Sequence, residues 1–250
     1  MLQKQFQRVG QMDDSTCGPA VMQMLLDYYG IAVTQKDVVH AAGADATVEE
    51  EGTRIDQLST ALRQLAPNYA LWYKEDASIE DMVSLIDEHQ VPVVVNWQGL
   101  FYDTLKEEAK LSTAVTHGHY SLITDVNVQN DTITMVDPFY EFVEKDRIFP
   151  IDWFKSRWWD VDYKTDAATH QDIAYYTSRL LFIVVPAKET FPKKVGMTQV
   201  PTNYLQQKFE KARLSHSHHP PLEPKNRIQF LWNYILNFRK VMKEGGELSR

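Results

Sequence analysis

Apolar positions first recur with helical spacing at Val21, Met24, Leu25 and Tyr28, the i, i+3, i+4, i+7 pattern of one buried helix face, and the pattern stops at Gly30. Thr34 then caps a short helix through Ala42. An acidic stretch, Glu49-Glu50-Glu51, leads to Thr53, which with Asp56 reads as the cap of a helix burying Ile55, Leu58, Leu62 and Leu65. Ser78 caps another, with Ile79, Met82, Val83 and Ile86 on one face. Strand-like runs lie at Ala70–Lys74, at Val91–Trp97 with Pro92 near its start, and at Leu180–Val185. Residues 98–116 read as a loop, with a short helix near Asp103–Lys110, and Ile151–Trp159 reads as a helix within an aromatic region. Those aromatics are expected to be mainly core.

Two further runs, His119–Val126 and Thr132–Val136, are separated by polar Asn127-Val-Gln-Asn-Asp131 and predict an antiparallel hairpin. Its midpoint, residue 128, makes His119 and Asp137 cross-strand neighbours, within a small register error or bulge. Asp125 is about 20 Å from His119 along one strand at the usual rise per residue and is a poor partner for it. His117, two residues earlier, is the competing histidine. His119 is preferred because it directly precedes the apolar run. His40 and His89 fall near helix C-termini, where a cation is favoured by the dipole, and read as structural.

The first helix begins with the chain's only cysteine, in Gln11-Met-Asp-Asp-Ser-Thr-Cys17-Gly-Pro-Ala20. A helix N-terminus presents unpaired N–H groups and the positive end of the dipole, which stabilise a thiolate. Pro19 suits the first turn, and Gly18 lets a substrate carbonyl approach the backbone. The Cys17 N–H and the Gln11 side-chain amide then become the two candidate oxyanion donors. The alternative is a small buried cysteine that packs a core helix.

Composition narrows the choice. The chain has 250 residues and 44% hydrophobic content, enough for one large domain or one domain with an appendage. No apolar run reaches the roughly 18 residues of a membrane span, and MLQKQFQRVG lacks a signal-peptide core, so a soluble, cytoplasmic protein is expected. One cysteine excludes an internal disulfide and a Cys-based zinc site. The net charge of -8 divides unevenly: residues 187–250 hold 12 Lys/Arg against 5 Asp/Glu, and residues 1–186 hold 14 against 29. An acidic body argues against nucleic acid as the partner. The basic part is punctuated by Pro192, Pro201, Pro220, Pro221 and Pro224 and carries one helix near Asn203–Leu214. It also carries Ser215-His-Ser-His-His219, which reads as linker rather than a metal site, and an amphipathic helix, Arg227–Lys243, suited to its own domain, a partner or a membrane surface. The division is therefore 1–186 and 187–250, with no metal or cofactor expected.

The Gln…Cys-Gly-Pro-Ala segment, Gly118-His119-Tyr120 opening a strand, and Asp137-Pro138 closing the next, in this order, resemble the papain-like cysteine peptidases. Within them the chain is most similar to the double-glycine leader, or bacteriocin-processing, peptidases and their stand-alone relatives, over roughly residues 5 to 186. The resemblance implies an α+β fold in which the nucleophile helix packs against an antiparallel sheet. It also implies a Cys17 nucleophile, His119 as base and acid, Asp137 orienting the histidine, Gln11 in the oxyanion hole, and a peptide substrate. No Gly-x-x-x-x-Gly-Lys-Ser/Thr loop is present, so export-coupled cleavage after a Gly-Gly pair is not expected. A thiol acyltransferase or amidase using the same residues, and a silent peptide-binding module, are the alternatives.

Overall fold

Val93–Gln98 is buried at every position and Leu181–Pro186 at all but the last. They run side by side inside a seven-stranded sheet. Strands buried on both faces need a covering layer on each side, and the flanking segments supply both. In the computed structural model, which describes residues 2–99, 101, 118–166, 169–170 and 172–216, the first half of the chain forms α1 (Cys17–Tyr28), α2 (Gln35–Ala41), α3 (Val48–Glu51), α4 (Ile55–Leu65), β1 (Tyr69–Lys74), α5 (Ile79–Val83) running into a π-helical turn at Ser84–Glu88, and β2 (Val93–Gln98). The second half forms β3 (Gly118–Asn127), β4 (Thr132–Val136), β5 (Arg147–Pro150), α6 (Ile151–Arg157), β6 (Trp159–Thr165), β7 (Asp172–Ser178), β8 (Leu181–Pro186), α7 (Phe191–Lys194), β9 (Thr198–Gln199) and α8 (Tyr204–His216).

The sheet order is β5-β4-β3-β2-β8-β1-β9, antiparallel throughout, and β6 pairs with β7 in a separate ribbon. Alternation along β2 and β8 sorts the core into two halves. Val94, Phe182 and Val184 meet Val21, Leu25, Leu58 and Leu62 from α1 and α4 on one face. Val93, Val95, Leu181 and Ile183 meet Met82, Ile86, Trp153 and Phe154 on the other. The structure is thus the α+β arrangement expected, with the helix that begins at Cys17 packed on the sheet.

Local signals mostly hold. Thr34 and Ser78 each form a reciprocal capping box, with Asp37 and Asp81 respectively, and Gly30 takes a φ of +75° at the end of the first helical segment. Thr53 is not a cap. The cap position belongs to Arg54, whose N–H donates to Gln57 Oε1 at 2.9 Å, and Thr53 is released to lie against Gly18. The helix expected to reach Trp159 ends at Arg157, because Trp158 leaves it to fill the core and Trp159 opens β6. His40 is exposed and pairs with Asp45, whereas His89 stacks on Phe191 with ring centroids 4.0 Å apart.

Beyond Pro186, β9 adds to β1 and α8 packs on β7 through Ala212, Ile173 and Tyr175. Tyr204 donates to Glu75 Oε1 at 3.0 Å and Lys208 pairs with its Oε2 at 2.7 Å. His117, most of the 98–116 loop, residues 217–219 and Arg227–Lys243 lie outside the described residues. Among the described residues no helix is long and apolar enough to cross a membrane.

Phe182 is fully buried in the strand shared by β1 and β2. Phe182→Ala is expected to cost about 3–5 kcal/mol, read from the urea unfolding midpoint.

Candidate active site

Cys17 is the first residue of α1, and Thr16 precedes it without capping the helix. The Thr16 hydroxyl accepts instead from the N–H groups of Met12 and Asp13, at 2.9 and 3.1 Å, folding the approach loop back on itself. The first turn is therefore uncapped by a side chain, and the Cys17 N–H has no acceptor among the described residues. Gly18 is required by proximity, since a Cβ there would lie 2.1 Å from Thr53 Oγ1.

Gln11 is held on three sides. Its N–H donates to the Pro138 carbonyl at 2.7 Å, and the buried Gln35 amide brackets its neighbours, donating to Gly10 O at 2.8 Å and accepting from Met12 N at 3.1 Å. The Gln11 side chain is buried. Its Nε2 donates to Asp13 O at 2.7 Å, and its Oε1 has no partner. It shares no hydrogen bond with Cys17, His119 or Asp137; its link to them is the backbone contact with the residue after Asp137.

His119 and Asp137 come together through a bulge. Near the turn Val126 faces Ile133 and Asp125 faces Thr134, but past Thr124 the register shifts and Leu122 faces Val136. An unbroken register would set Leu122 opposite Asp137, placing His119 and Asp137 on opposite faces of the sheet. The extra residue restores the parity. Ser121 falls level with Asp137, and His119 becomes its diagonal neighbour on the same face. The contact is direct: His119 Nε2 lies 2.7 Å from Asp137 Oδ1. The Cys17 thiol lies near enough to His119 to favour its protonated form, so the imidazole sits with the carboxylate on one side and the sulfur near it. Asp125, facing Thr134, takes no part.

Asp137 has no exposed surface, and two further donors meet it. Phe139 N–H donates to Oδ1 at 3.0 Å, and Arg147 Nη1 donates to Oδ2 at 2.5 Å. Burial pushes the Asp137 pKa up, but His119, Arg147 and the Phe139 N–H together hold it below the usual carboxylate value. Burial likewise opposes protonation of His119. The Asp137 carboxylate overcomes that, with help from Cys17, and raises the histidine to about 10. Aromatic rings enclose the pair: Phe101 stands edge-on to His119 at 5.1 Å and meets Phe139, while Trp97 covers the cross-strand side and donates to Ser121 Oγ at 3.0 Å.

Arg147, Gln35 and Trp97 were not visible as site residues in the sequence. Arg147 sits in the charged run Glu144-Lys-Asp-Arg147, which reads as surface, and only its place on β5 brings it inside. Its guanidinium stacks 3.8 Å from the Phe142 ring centroid, an anchor that the neighbouring aromatics hint at. Among the described residues no cluster of His, Cys, Asp and Glu has the makings of a metal site.

Helices packed on a large antiparallel sheet, with the cysteine at a helix start, define a papain-like α+β protein. The chain belongs to the peptidase C39-like family, whose model matches residues 3–165. Among solved structures it is similar to the peptidase domain of Streptococcus ComA, a bi-functional ABC transporter involved in a quorum-sensing pathway, with TM-score 0.47 and 16% identity over 73% of this chain and 99% of that one. It is also similar to a double-glycine motif protease from an AMS/PCAT transporter, solved with its leader peptide, with TM-score 0.45 and 17% identity over 74% and 94%. A third is the N-terminal peptidase C39-like domain of a toxin secretion ATP-binding protein from Vibrio parahaemolyticus, with TM-score 0.42 and 13% identity over 70% and 98%. No curated protein matches.

Two outcomes follow from the buried ion pairs. Arg147→Met leaves Asp137 Oδ2 without its charged partner and is expected to lower stability by about 3–5 kcal/mol in urea unfolding. The raised His119 pKa means that the folded chain keeps a proton which the unfolded chain releases near 6.5. Its contribution to stability is complete below pH 6.5 and is lost as pH rises through about 10. The native unfolding free energy should therefore fall more steeply over that range than that of His119→Gln.

Proposed function

We propose that this chain is a cysteine peptidase that hydrolyses a peptide bond through a thioester acyl-enzyme. The observation that carries the reading is the placement of His119, hydrogen-bonded to buried Asp137 and close enough to the thiol at the head of α1 for the sulfur to favour its protonated form. Cys17 is the nucleophile. His119 takes the thiol proton, and Cys17 Sγ attacks the substrate carbonyl, whose oxygen becomes the oxyanion. The Cys17 N–H, without another acceptor, and the second N–H of the Gln11 amide are its donors. Collapse of the intermediate breaks the C–N bond, and the imidazolium protonates the leaving amine. Water, deprotonated by His119, then releases the carboxylic acid and regenerates the thiol. Asp137 holds the tautomer and stabilises the imidazolium at each stage, and Arg147 positions Asp137.

A family of peptidase-like proteins supports a peptide as substrate. The test uses the single cysteine as its own reporter. Iodoacetamide should alkylate the native chain at pH 6 at least about tenfold faster than His119→Ala, with the difference closing above pH 8.5, where an unassisted thiol ionises. Equal rates at every pH would remove the activated pair and leave a peptide-binding module.

A further inference from the structure

A cavity of about 380 Å³ opens beside Cys17 and runs under β6, and its wall is acidic. Asp14, Glu49, Glu50, Glu51, Asp160 and Asp162 line it; the cation among its described lining residues is Arg54. Arg54 is already engaged, 3.2 Å from Asp56 and 3.8 Å from Glu51.

The carboxylate nearest the chemistry is that of Asp160. It lies directly over Gly118, the residue before His119, where a Cβ would come within 2.4 Å of its Oδ2. Its hydrogen-bond donors are all neutral: Asn96 Nδ2 at 2.9 Å, Gln98 Nε2 at 3.1 Å and its neighbour's Val161 N–H at 2.8 Å. Burial and the adjacent Asp162 consequently raise its pKa to about 7. Asp162 is half-buried and has Arg54 and Lys208 near enough to oppose the rise that burial causes, so the carboxylate met by neutral donors alone is Asp160.

Independent of these charges, the same wall carries acceptors with no donor. Asn96 is 7% exposed and lines the cavity, and its Oδ1 has no hydrogen-bond partner; Thr53 Oγ1, also in the lining, has none. Buried polar atoms in native structures are nearly always satisfied, so unmet acceptors in a cavity wall mark the place of a donor that arrives from outside. Beside a wall of six carboxylates, the donor whose charge fits is a cationic one. Lysine brings three N–H groups and arginine five, with no acceptor of their own.

We propose that this cavity is a specificity subsite that receives the Lys or Arg side chain of a substrate peptide, at a residue adjoining the bond attacked by Cys17. The proposal rests on the peptidase reading above and names its substrate class. Asp160 and Asp162 form the charged floor, Asn96 Oδ1 and Thr53 Oγ1 accept the remaining N–H groups, and exposed Glu49 and Glu50 at the rim draw the cation in.

The experiment compares two peptidyl acyloxymethyl ketones identical except for Lys or norleucine at the residue next to the warhead, and a second pair varied one residue further away. Labelling of Cys17 is followed by intact mass. The Lys probe of one pair should react roughly 10- to 100-fold faster, the advantage of hydrogen bonds to a charged group. That ratio should shrink as salt is raised. It should collapse toward one in Asp160→Asn and, should that variant fail to fold, fall measurably in the rim variant Glu49→Gln/Glu50→Gln. Equal Lys and norleucine rates in a chain whose iodoacetamide labelling depends on His119 would overturn the subsite and leave the peptidase. A Lys preference untouched by both variants would overturn its assignment to this cavity. Loss of His119-dependent labelling with every reagent would overturn both readings.

Discussion

Asp137 is a carboxylate with no exposed surface, and the need to satisfy it orders the site. Its oxygens are met from three directions: His119 on β3, Arg147 on β5 and the Phe139 N–H beyond β4. Each element must therefore sit in one register, and the bulge at Thr124 supplies it by turning His119 to the face of Asp137. The next residue, Pro138, passes the constraint on. Its carbonyl fixes the backbone of Gln11, and Gln35 clamps the residues on either side. A single buried charge thus ties the far edge of the sheet to the segment that leads into Cys17.

Cys17 arrives from the opposite layer. Cys17 belongs to the core half formed by α1 and α4, whereas His119 shares the cross-strand position of Trp97, on the half formed by α5 and α6. Side chains on opposite faces of a sheet meet only where the sheet ends. His119 is the second residue of β3, and the first is Gly118. The same bare position gives Asp160 its seat. A methyl group on that glycine would collide with the Asp160 carboxylate and so disturb the acidic cavity.

Much of this was legible in the residue order. Periodicity gave α1, α4 and α5, and Thr34 and Ser78 announced their helices because a capping side chain acts on backbone within its own turn. Cys17, His119 and Asp137 were legible because a helix start and a hairpin are local objects. What was lost was non-local. Counting from a turn centred on residue 128 put His119 directly across from Asp137, but Asn127 pairs with Thr132, so the turn is centred later, and only the bulge brings the two diagonally onto one face; a bulge changes parity without changing composition. The ribbon of β6 and β7 was missed because Trp159-Asp-Val-Asp-Tyr163 mixes charge with aromatics and becomes a strand only against its partner. Arg147 was hidden for the same reason. A cation in a charged run is surface until a carboxylate eighteen residues from its histidine draws it inside.

The chain handles its buried carboxylates in two opposite ways. Asp137 has an arginine, a histidine and a backbone N–H, and its pKa is held down. Asp160 has two amide side chains and a backbone N–H, with a second carboxylate beside it, and its pKa is pushed up to about 7. The first arrangement stabilises the fold as it stands. The second opposes folding as pH rises toward 7, since the folded chain retains a proton that the unfolded chain gives up near 3.8. Both Asp160 oxygens accept from N–H donors, Oδ2 from Asn96 and Oδ1 from Gln98 and Val161, so an asparagine there would set its own NH2 group against one of them. The hydrogen bonds hold the carboxylate in place without supplying a counter-charge. The acid that lacks its counter-charge lies one residue from the histidine that has one, at the mouth of the cavity that opens on Cys17.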